Sequence, residues 1–183
     1  MTHRRGLVLG ATVLALATLA PSSAVAQTGE ALIKTVGAST EVPNVTFGAD
    51  RTVEYKVAWD VTEGPAKPGD ATAGFARPAN FLVMADANGL DRKKVHLAII
   101  VHGTATSALL SNAGYRAMHG VDNPNVALLQ ALNGAGVQGI VCGQALINRK
   151  VPRDQLLPFV KVATSATFAR ATLHAQGYAT FTP

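Results

Sequence analysis

The 183-residue sequence contains a single cysteine, Cys142, so no disulfide can form within the chain. A small fold held together by disulfides is therefore excluded. No two histidines have the spacing of metal ligands, and no second cysteine exists to complete a zinc site. The glycine-rich segments lack the GxGxxG and GxxxxGK spacings of nucleotide-binding loops. We expect neither a metal nor a cofactor.

The chain also lacks a stripe of basic residues and any segment in which basic and aromatic residues alternate. Its short basic run, Arg92-Lys93-Lys94, precedes a hydrophobic segment and is typical of a solvated turn. We therefore expect no nucleic-acid partner. The apolar run over residues 7–20 has about 14 residues, which is short for a helix that spans a bilayer.

That apolar run lies within an N-terminus that has the three zones of a cleavable export signal. Arg4 and Arg5 give it a positive start, and Ala24-Val25-Ala26 supplies the small residues that signal peptidase requires. We predict that residues 1–26 are a signal peptide and that the mature protein is periplasmic or secreted, with no membrane attachment after cleavage. The paired arginines leave the twin-arginine route open beside ordinary secretion. An uncleaved membrane anchor is the alternative.

The mature chain is long enough for one hydrophobic core and too short for two ordinary domains. Residues 27–52 have weak periodicity, and we expect an N-terminal lead-in that lies on the domain surface or stays mobile. Residues 53–183 have stronger patterns and are predicted to form the domain. Loss of the signal peptide leaves 14 Lys plus Arg against 11 Asp plus Glu, a net charge of about +3.

Strand-like and helix-like segments alternate from residue 53 to the C-terminus, with connections too long for hairpins. This alternation indicates right-handed crossovers between parallel strands. The predicted fold is a three-layer, doubly wound α/β domain with a mostly parallel five-stranded sheet, in the flavodoxin-like strand order 2-1-3-4-5. The five predicted strands cover residues 53–61, 95–101, 137–141, 160–163 and 178–181.

Ligands of open parallel sheets bind beyond the carboxyl ends of the strands. This rule selects Asp60 after the first strand, His102 after the second and Cys142 after the third. In the flavodoxin-like order the second and third strands lie two spacings apart, roughly 10 Å. We therefore expect no direct hydrogen bond between His102 and Cys142, and no Asp or Asn is evident as a third member of such a pair.

Cys142 ends a buried strand and precedes a predicted helix. The free N–H groups and the dipole at a helix N-terminus favour an anion, and the thiolate is the reactive form of cysteine. Arg149, after the same helical segment, is expected to add positive potential. Alternatively, Cys142 is a small buried hydrophobic residue with no chemical role.

Several motifs between residues 53 and 183 resemble, in the same order, those of the DsrE/DsrF-like proteins, especially their exported single-domain members. The similarity spans about 130 residues. The motifs are Ile100-Val101-His102-Gly103, Leu129-Gln130-Ala131-Leu132, Gly136-Val137, Ile140-Val141-Cys142-Gly143-Gln144-Ala145-Leu146, Leu156-Leu157-Pro158-Phe159-Val160-Lys161-Val162 and Gln176-Gly177-Tyr178-Ala179.

The resemblance implies a three-layer α/β fold that assembles into trimers or hexamers. In the cytoplasmic sulfur-relay members, a cysteine at the end of this strand carries sulfur as a persulfide, and Cys142 matches it. Gly103, Gly143 and Gln144 lie in the matching motifs and are expected to line the binding site, together with His102. The implied function is a sulfur carrier, with a thiol-containing sulfur donor and acceptor. The alternative is a non-catalytic oligomeric module that binds a small ligand or a protein.

Overall fold

The computed structural model describes residues 29–182, so the predicted signal peptide lies outside the described residues. Helices and strands alternate along the domain as the sequence predicts, with strand ends within two residues of the predicted positions. The strands are β1 (Tyr55–Val61), β2 (Val95–Val101), β3 (Gln138–Cys142), β4 (Lys161–Ala163) and β5 (Ala179–Phe181). The helices are α1 (Gly29–Val36), α2 (Ala76–Ala87), α3 (Asn112–His119), α4 (Val126–Gly134), α5 (Gly143–Asn148) and α6 (Ala166–Ala175).

The five strands form one sheet in which every pair is parallel, which confirms the predicted fold class. The strand order is β4-β3-β2-β1-β5, however, and the predicted order 2-1-3-4-5 was wrong. The first three connections each place the next strand beside the previous one, in a constant direction across the sheet. Only the last connection reverses and places β5 beside β1. Strands β2 and β3 are therefore neighbours, with Val101 paired to Val141.

This strand order determines how the helices are distributed, because right-handed crossovers that advance in one direction lie on one face of the sheet. We call that face the thick face; its strand residues are Val57, Val61, Leu97, Ile99, Val101 and Val141, and α1, α2 and α4 all contribute to its core. The reversed connection carries α6 to the opposite side, the thin face. The thin face has a smaller core, made by Ala58, Ala98, Ile100, Ile140 and Cys142 with Ala166, Ala169, Leu173 and Tyr178.

The first part of the predicted lead-in is helix α1, which the weak periodicity of residues 27–52 did not reveal. Ile33 on this helix is only 1% exposed and belongs to the core of the thick face. Helix α1 lies against α2 and α4, and Leu32 and Val36 pack beside Ile33. An eight-residue helix is marginal alone, so tertiary packing rather than intrinsic propensity stabilises it.

None of the helices within residues 29–182 is long and apolar enough to cross a membrane.

Candidate functional site

The carboxyl ends of β1, β2 and β3 bring three of the predicted site residues to the thin face. Side chains alternate between the faces along each strand, and Val61, Val101 and Val141 all point to the thick face. Asp60, His102 and Cys142 each lie next to one of these valines and therefore face the other way. Because β2 and β3 are paired, His102 and Cys142 follow the register pair Val101–Val141 on adjacent strands.

Cys142 is the last residue of β3 and the N-cap of α5. Its Sγ accepts a hydrogen bond from the backbone N–H of Ala145, with Sγ and N 3.4 Å apart. The residue is 7% exposed and packs against the alanines of α6. The sulfur therefore sits at the N-terminal end of a helix, where a backbone N–H stabilises negative charge.

Gly143 allows α5 to begin directly against the neighbouring strand. A Cβ at this position would lie 2.7 Å from the carbonyl oxygen of Ala163, the residue that pairs with Cys142 in β4. Any side chain here would push the start of α5 away from β4 and displace Cys142. Gln144, the next residue, points to solvent and lines an open groove beside the site.

Asp60 is a buried carboxylate at the centre of a polar cluster on the thin face. Its side chain is 3% exposed, and its Oδ2 accepts a hydrogen bond from the guanidinium of Arg170 on α6. The same oxygen lies 3.5 Å from Nε2 of His102, at the limit of a hydrogen bond. The cluster ties β1, the end of β2 and α6 together, and the His102 side chain remains 27% exposed.

Arg170 is the residue of this cluster that sequence analysis missed. It follows Ala169, which belongs to the buried stripe of α6 formed by Ala166, Ala169 and Leu173. A basic residue at the border of a buried apolar helix stripe indicates an acidic partner beneath the helix. This pattern in the sequence could have identified Arg170. One nitrogen of Arg170, Nε, is buried and has no hydrogen-bond partner among the described residues.

Gly103 has a backbone role at the end of β2. Its φ is +60°, and a Cβ would lie 2.4 Å from the carbonyl oxygen of Thr62. The close approach lets His102 donate its backbone N–H to Val61 over 3.0 Å, which extends the β1–β2 pairing. Only glycine fits this conformation without strain. Gly103 therefore fixes where His102 leaves the sheet.

Arg149 is exposed and forms the C-cap of α5, at the opposite end of that helix from Cys142. Six helical residues span roughly 9 Å, so Arg149 is not brought to the sulfur. The positive group that the structure places on the Asp60 carboxylate is Arg170 instead.

His102 and Cys142 lie on neighbouring strands and not two spacings apart, since the predicted strand order was wrong. The ring of His102 is directed towards Asp60, and the hydrogen bonds of residues 29–182 include none between His102 and the Cys142 sulfur. In that part of the chain no group of three His, Cys, Asp or Glu side chains is arranged to hold a metal ion.

A groove of about 600 Å³ opens between α5 and the end of β4, and Cys142 is not among the described residues that line it. The peptide neighbour of Cys142, Gly143, and its strand partner, Ala163, both line this groove. Its walls are mainly apolar, and Lys150 and Arg153 supply its positive charge. Leu146 and Val162 in the lining belong to the core of the thick face, whereas the Cys142 side chain faces the thin face.

Comparison with known proteins gives one family and two similar structures. The sequence model of the DsrE/DsrF-like family matches residues 56–183. The chain is similar to MTH1491, a protein of unknown function from Methanobacterium thermoautotrophicum, with 18% identity and a TM-score of 0.47 over 70% of this chain and 99% of that one. It is similar to the ychN protein of E. coli, with 18% identity and a TM-score of 0.48 over 69% of this chain and 99% of that one. No curated protein matches the chain.

Proposed function

The chain belongs to the DsrE/DsrF-like family, and from this premise we propose that it is a sulfur carrier that holds sulfane sulfur as a persulfide on Cys142. The observation that carries the proposal is the position of this sulfur at the carboxyl end of β3, where it caps α5 and accepts a backbone N–H. The family is associated with sulfur relay, and the same end of the sheet is where parallel folds bind ligands.

The loading step needs only a sulfane donor. The Cys142 thiolate attacks the outer sulfur of a donor R–S–SH, a new S–S bond forms, and the donor S–S bond breaks. The proton of the thiol goes to the departing thiolate, so the products are Cys142–S–SH and R–SH. An acceptor thiol then attacks the outer sulfur in the same way and regenerates the Cys142 thiol. No oxidant or reductant is consumed.

The Asp60 cluster supports this chemistry by orienting a base. Asp60 is held by Arg170 and directs the His102 ring, whose Nε2 faces the carboxylate. The remaining ring nitrogen, Nδ1, is the atom that can take the thiol proton and return it to the leaving group, directly or through water. His102 is thus the proposed proton carrier, and Asp60 and Arg170 are positioning residues.

The single cysteine determines where the sulfur goes next. Without a second cysteine in the chain, Cys142 persulfide cannot be resolved into an internal disulfide. The sulfur must pass to another molecule, which favours a carrier with a thiol-containing donor and acceptor over a dithiol oxidoreductase.

Intact-mass analysis tests the proposal. We expect a gain of about 32 Da after incubation with a polysulfide donor, reversal by a reducing thiol, and no gain in Cys142→Ser. We expect His102→Gln to be loaded more slowly, by roughly a hundredfold or more, because general base catalysis is lost while the sulfur remains. A wild-type protein that gains no mass with any sulfane donor would overturn the proposal.

A second candidate is a non-catalytic binding module in which Cys142 is a structural residue. Its 7% exposure and the absence of a hydrogen bond to His102 within residues 29–182 favour this alternative. Iodoacetamide separates the two. A thiol that reacts at neutral pH in the folded protein supports the carrier, whereas a thiol that reacts only after denaturation supports the binding module.

Export and self-assembly complete the proposal. We expect cleavage after Ala26 and a periplasmic or secreted mature protein. N-terminal sequencing of the protein from cell fractions tests this, and an intact Met1 would contradict it.

We expect a trimer or a hexamer, as the family resemblance implies, and light scattering measures the molar mass of the assembly directly. Phe168 on α6 is 67% exposed on the thin face, and we propose it as one of the side chains through which copies of the chain contact each other.

A further inference from the structure

Exposed apolar side chains gather at one groove that lies outside the candidate site. Val42, Val45, Phe47 and Met84 all line this groove, which has a volume of about 860 Å³. Their exposed fractions run from 40% for Met84 to 97% for Phe47. Single exposed apolar side chains are normal on a protein surface, but a group of them around one concave surface marks a binding site.

One wall of the groove belongs to residues 38–50, which we call the strap. The strap has no helix or strand, and every one of its residues is exposed. Its first end follows Gly37, which packs so closely on α2 that a Cβ would lie 2.4 Å from the carbonyl oxygen of Ala79. At the other end, the N–H of Asp50 donates to the hydroxyl of Tyr55 over 2.9 Å. Both ends of the strap are therefore fixed to the domain, while its apolar side chains stay uncovered.

The other wall of the groove is aromatic and is held by the core. Phe81 on α2 and Tyr55 at the start of β1 both line the groove, and their rings are in edge contact with centroids 6.0 Å apart. Phe81 also contacts the ring of Trp59, which packs against the core of the thick face. Phe47 on the strap adds a third ring to the lining. The groove therefore presents aromatic rings from both of its walls.

The lining of the groove contains one charged side chain, the carboxylate of Glu41. Among residues 29–182 this carboxylate takes part in no ion pair. No Lys, Arg or His side chain lines the groove. Arg51 reaches one end of it by donating to the carbonyl of Asn88 over 2.9 Å, but is not part of the lining. The groove therefore has an unpaired negative charge.

These features select the chemistry of the ligand. The face of an aromatic ring attracts an ammonium group, and so does an unpaired carboxylate. An anionic lipid surface is a poor match, because it is recognised by clusters of basic residues. A volume of about 860 Å³ lies in the range of sites that hold small organic molecules.

We propose that this groove binds a small organic ammonium compound with an apolar body. The ammonium group pairs with Glu41 and is attracted by the aromatic rings, and the apolar body contacts Phe47 and Met84. The family model begins at residue 56, so the strap lies outside the matched part and the inference does not rest on the family. The groove lies against α2, which packs on the thick face, whereas Cys142 faces the thin face. The site is therefore separate from the proposed sulfur chemistry.

Calorimetry with two matched ligands tests the charge requirement. Decylammonium and decanoate have alkyl chains of similar length and opposite charges at pH 7. We expect the mature wild-type protein to bind decylammonium more tightly. Glu41→Gln should weaken the binding of decylammonium by up to about fivefold, the upper range for one exposed ion pair, and strengthen that of decanoate. Equal affinity of wild type for the two ligands would overturn the proposal.

The matched control for the charge is Glu63→Gln, which removes another exposed carboxylate from the loop after β1 and should change neither affinity. The same losses in Glu63→Gln as in Glu41→Gln would show a general effect of net charge and would overturn the proposal.

A second variant tests the apolar part of the groove. Phe47→Ser should weaken the binding of both ligands by roughly tenfold, because the contact of the ring with the alkyl chain is lost. The ring is 97% exposed in the free protein, so the urea midpoint of this variant should equal that of wild type. Unchanged binding of both ligands by Phe47→Ser would show that they bind elsewhere and would overturn the proposal.

Two further measurements exclude other occupants of the groove. We expect Phe47→Ser to keep the wild-type molar mass in light scattering, and the mature wild-type protein not to float with phosphatidylcholine vesicles. A lower molar mass would show that the groove is a subunit contact, and flotation would show that it is a membrane surface; either result would overturn the proposal. Cys142→Ser should bind decylammonium as wild type does, so the outcome does not depend on whether Cys142 carries sulfur.

Discussion

The two faces of the sheet differ in how much of the chain covers them. Among the helices of residues 29–182, α1, α2 and α4 contribute large aliphatic side chains to the thick face, and α6 is the one that crosses the thin face. The thin face is packed through small residues, among them Ala58, Ala98, Ala166 and Ala169. Close contact between alanines lets α6 reach the buried Asp60 through Arg170. The thick face therefore supplies most of the buried apolar area, and the thin face holds the polar groups of the candidate site.

The largest effect is expected from a core substitution on the thick face. Leu132 on α4 is 1% exposed, and Leu132→Ala should lower the free energy of unfolding by about 3 kcal/mol, through lost burial and the cavity left behind. Urea denaturation measures the change, and the folded variant should keep the wild-type loading rate at Cys142. Met84→Ala on α2, where the side chain is 40% exposed, is the control and should cost under about 1 kcal/mol. If the two substitutions lowered the free energy of unfolding equally, the core of the thick face would not be the main source of stability.

The second effect should appear on the thin face and combine stability with chemistry. Asp60→Asn removes the charge that Arg170 pairs with and should cost about 2 kcal/mol of unfolding free energy, less than a fully buried pair because Arg170 is 31% exposed. The variant should also load Cys142 more slowly, since His102 loses its orienting carboxylate. Asp122→Asn, at an exposed ion pair with Arg116, is the control and should change neither property measurably. Normal loading by Asp60→Asn would show that the cluster is purely structural.

The third effect concerns assembly rather than folding. Phe168→Ser on the thin face should change the unfolding free energy of the monomer by less than about 0.5 kcal/mol, because the side chain is 67% exposed. It should nevertheless reduce the molar mass measured by light scattering. Phe47→Ser, at a 97% exposed position before β1, is the matched control. A loss of mass in the control alone would place the subunit contact away from the thin face.

The smallest effect is expected from the surface ion pair between Arg92 and Asp86. Arg92 donates two hydrogen bonds of 2.6 Å to Asp86, and this lowers the pKa of the Asp86 carboxyl. A lowered folded-state pKa adds stability that is present above the unfolded pKa and lost as the pH falls through the folded value. Asp86→Asn should therefore cost under about 1 kcal/mol near pH 7. Its difference from wild type should shrink as the pH falls through the lowered pKa of Asp86 in the folded protein; a difference that grows instead would contradict this sign.

Local sequence patterns predicted the elements but not their lateral order. Strand β2 was predicted over the residues at which it is observed, because a strand buried on both faces is a continuous apolar run. Nothing in that run states which strand lies beside it. The order depends on which faces the helices can cover, and the wrong order separated His102 from Cys142 by an extra strand.

The candidate site was predictable where it follows from strand ends, as for Asp60, His102 and Cys142. Arg170 was missed because it lies within α6, on the one connection that reverses direction, and not at the end of a strand. Arg149 was expected near the sulfur because it is close in sequence, but a helix of six residues separates the two. Sequence proximity was misleading for Arg149, and it gave no information about Arg170.

The two outer strands, β4 and β5, are only three residues long. The outermost strands of an open sheet expose unpaired backbone groups that can recruit strands from other molecules into aggregates. Strands β4 and β5 each offer very few unpaired backbone groups, and the exposed Lys161 is the first residue of β4. Copies of this chain are therefore poor templates for β-aggregation. Any assembly they form must be made through side chains on the faces of the domain and not by continuing the sheet.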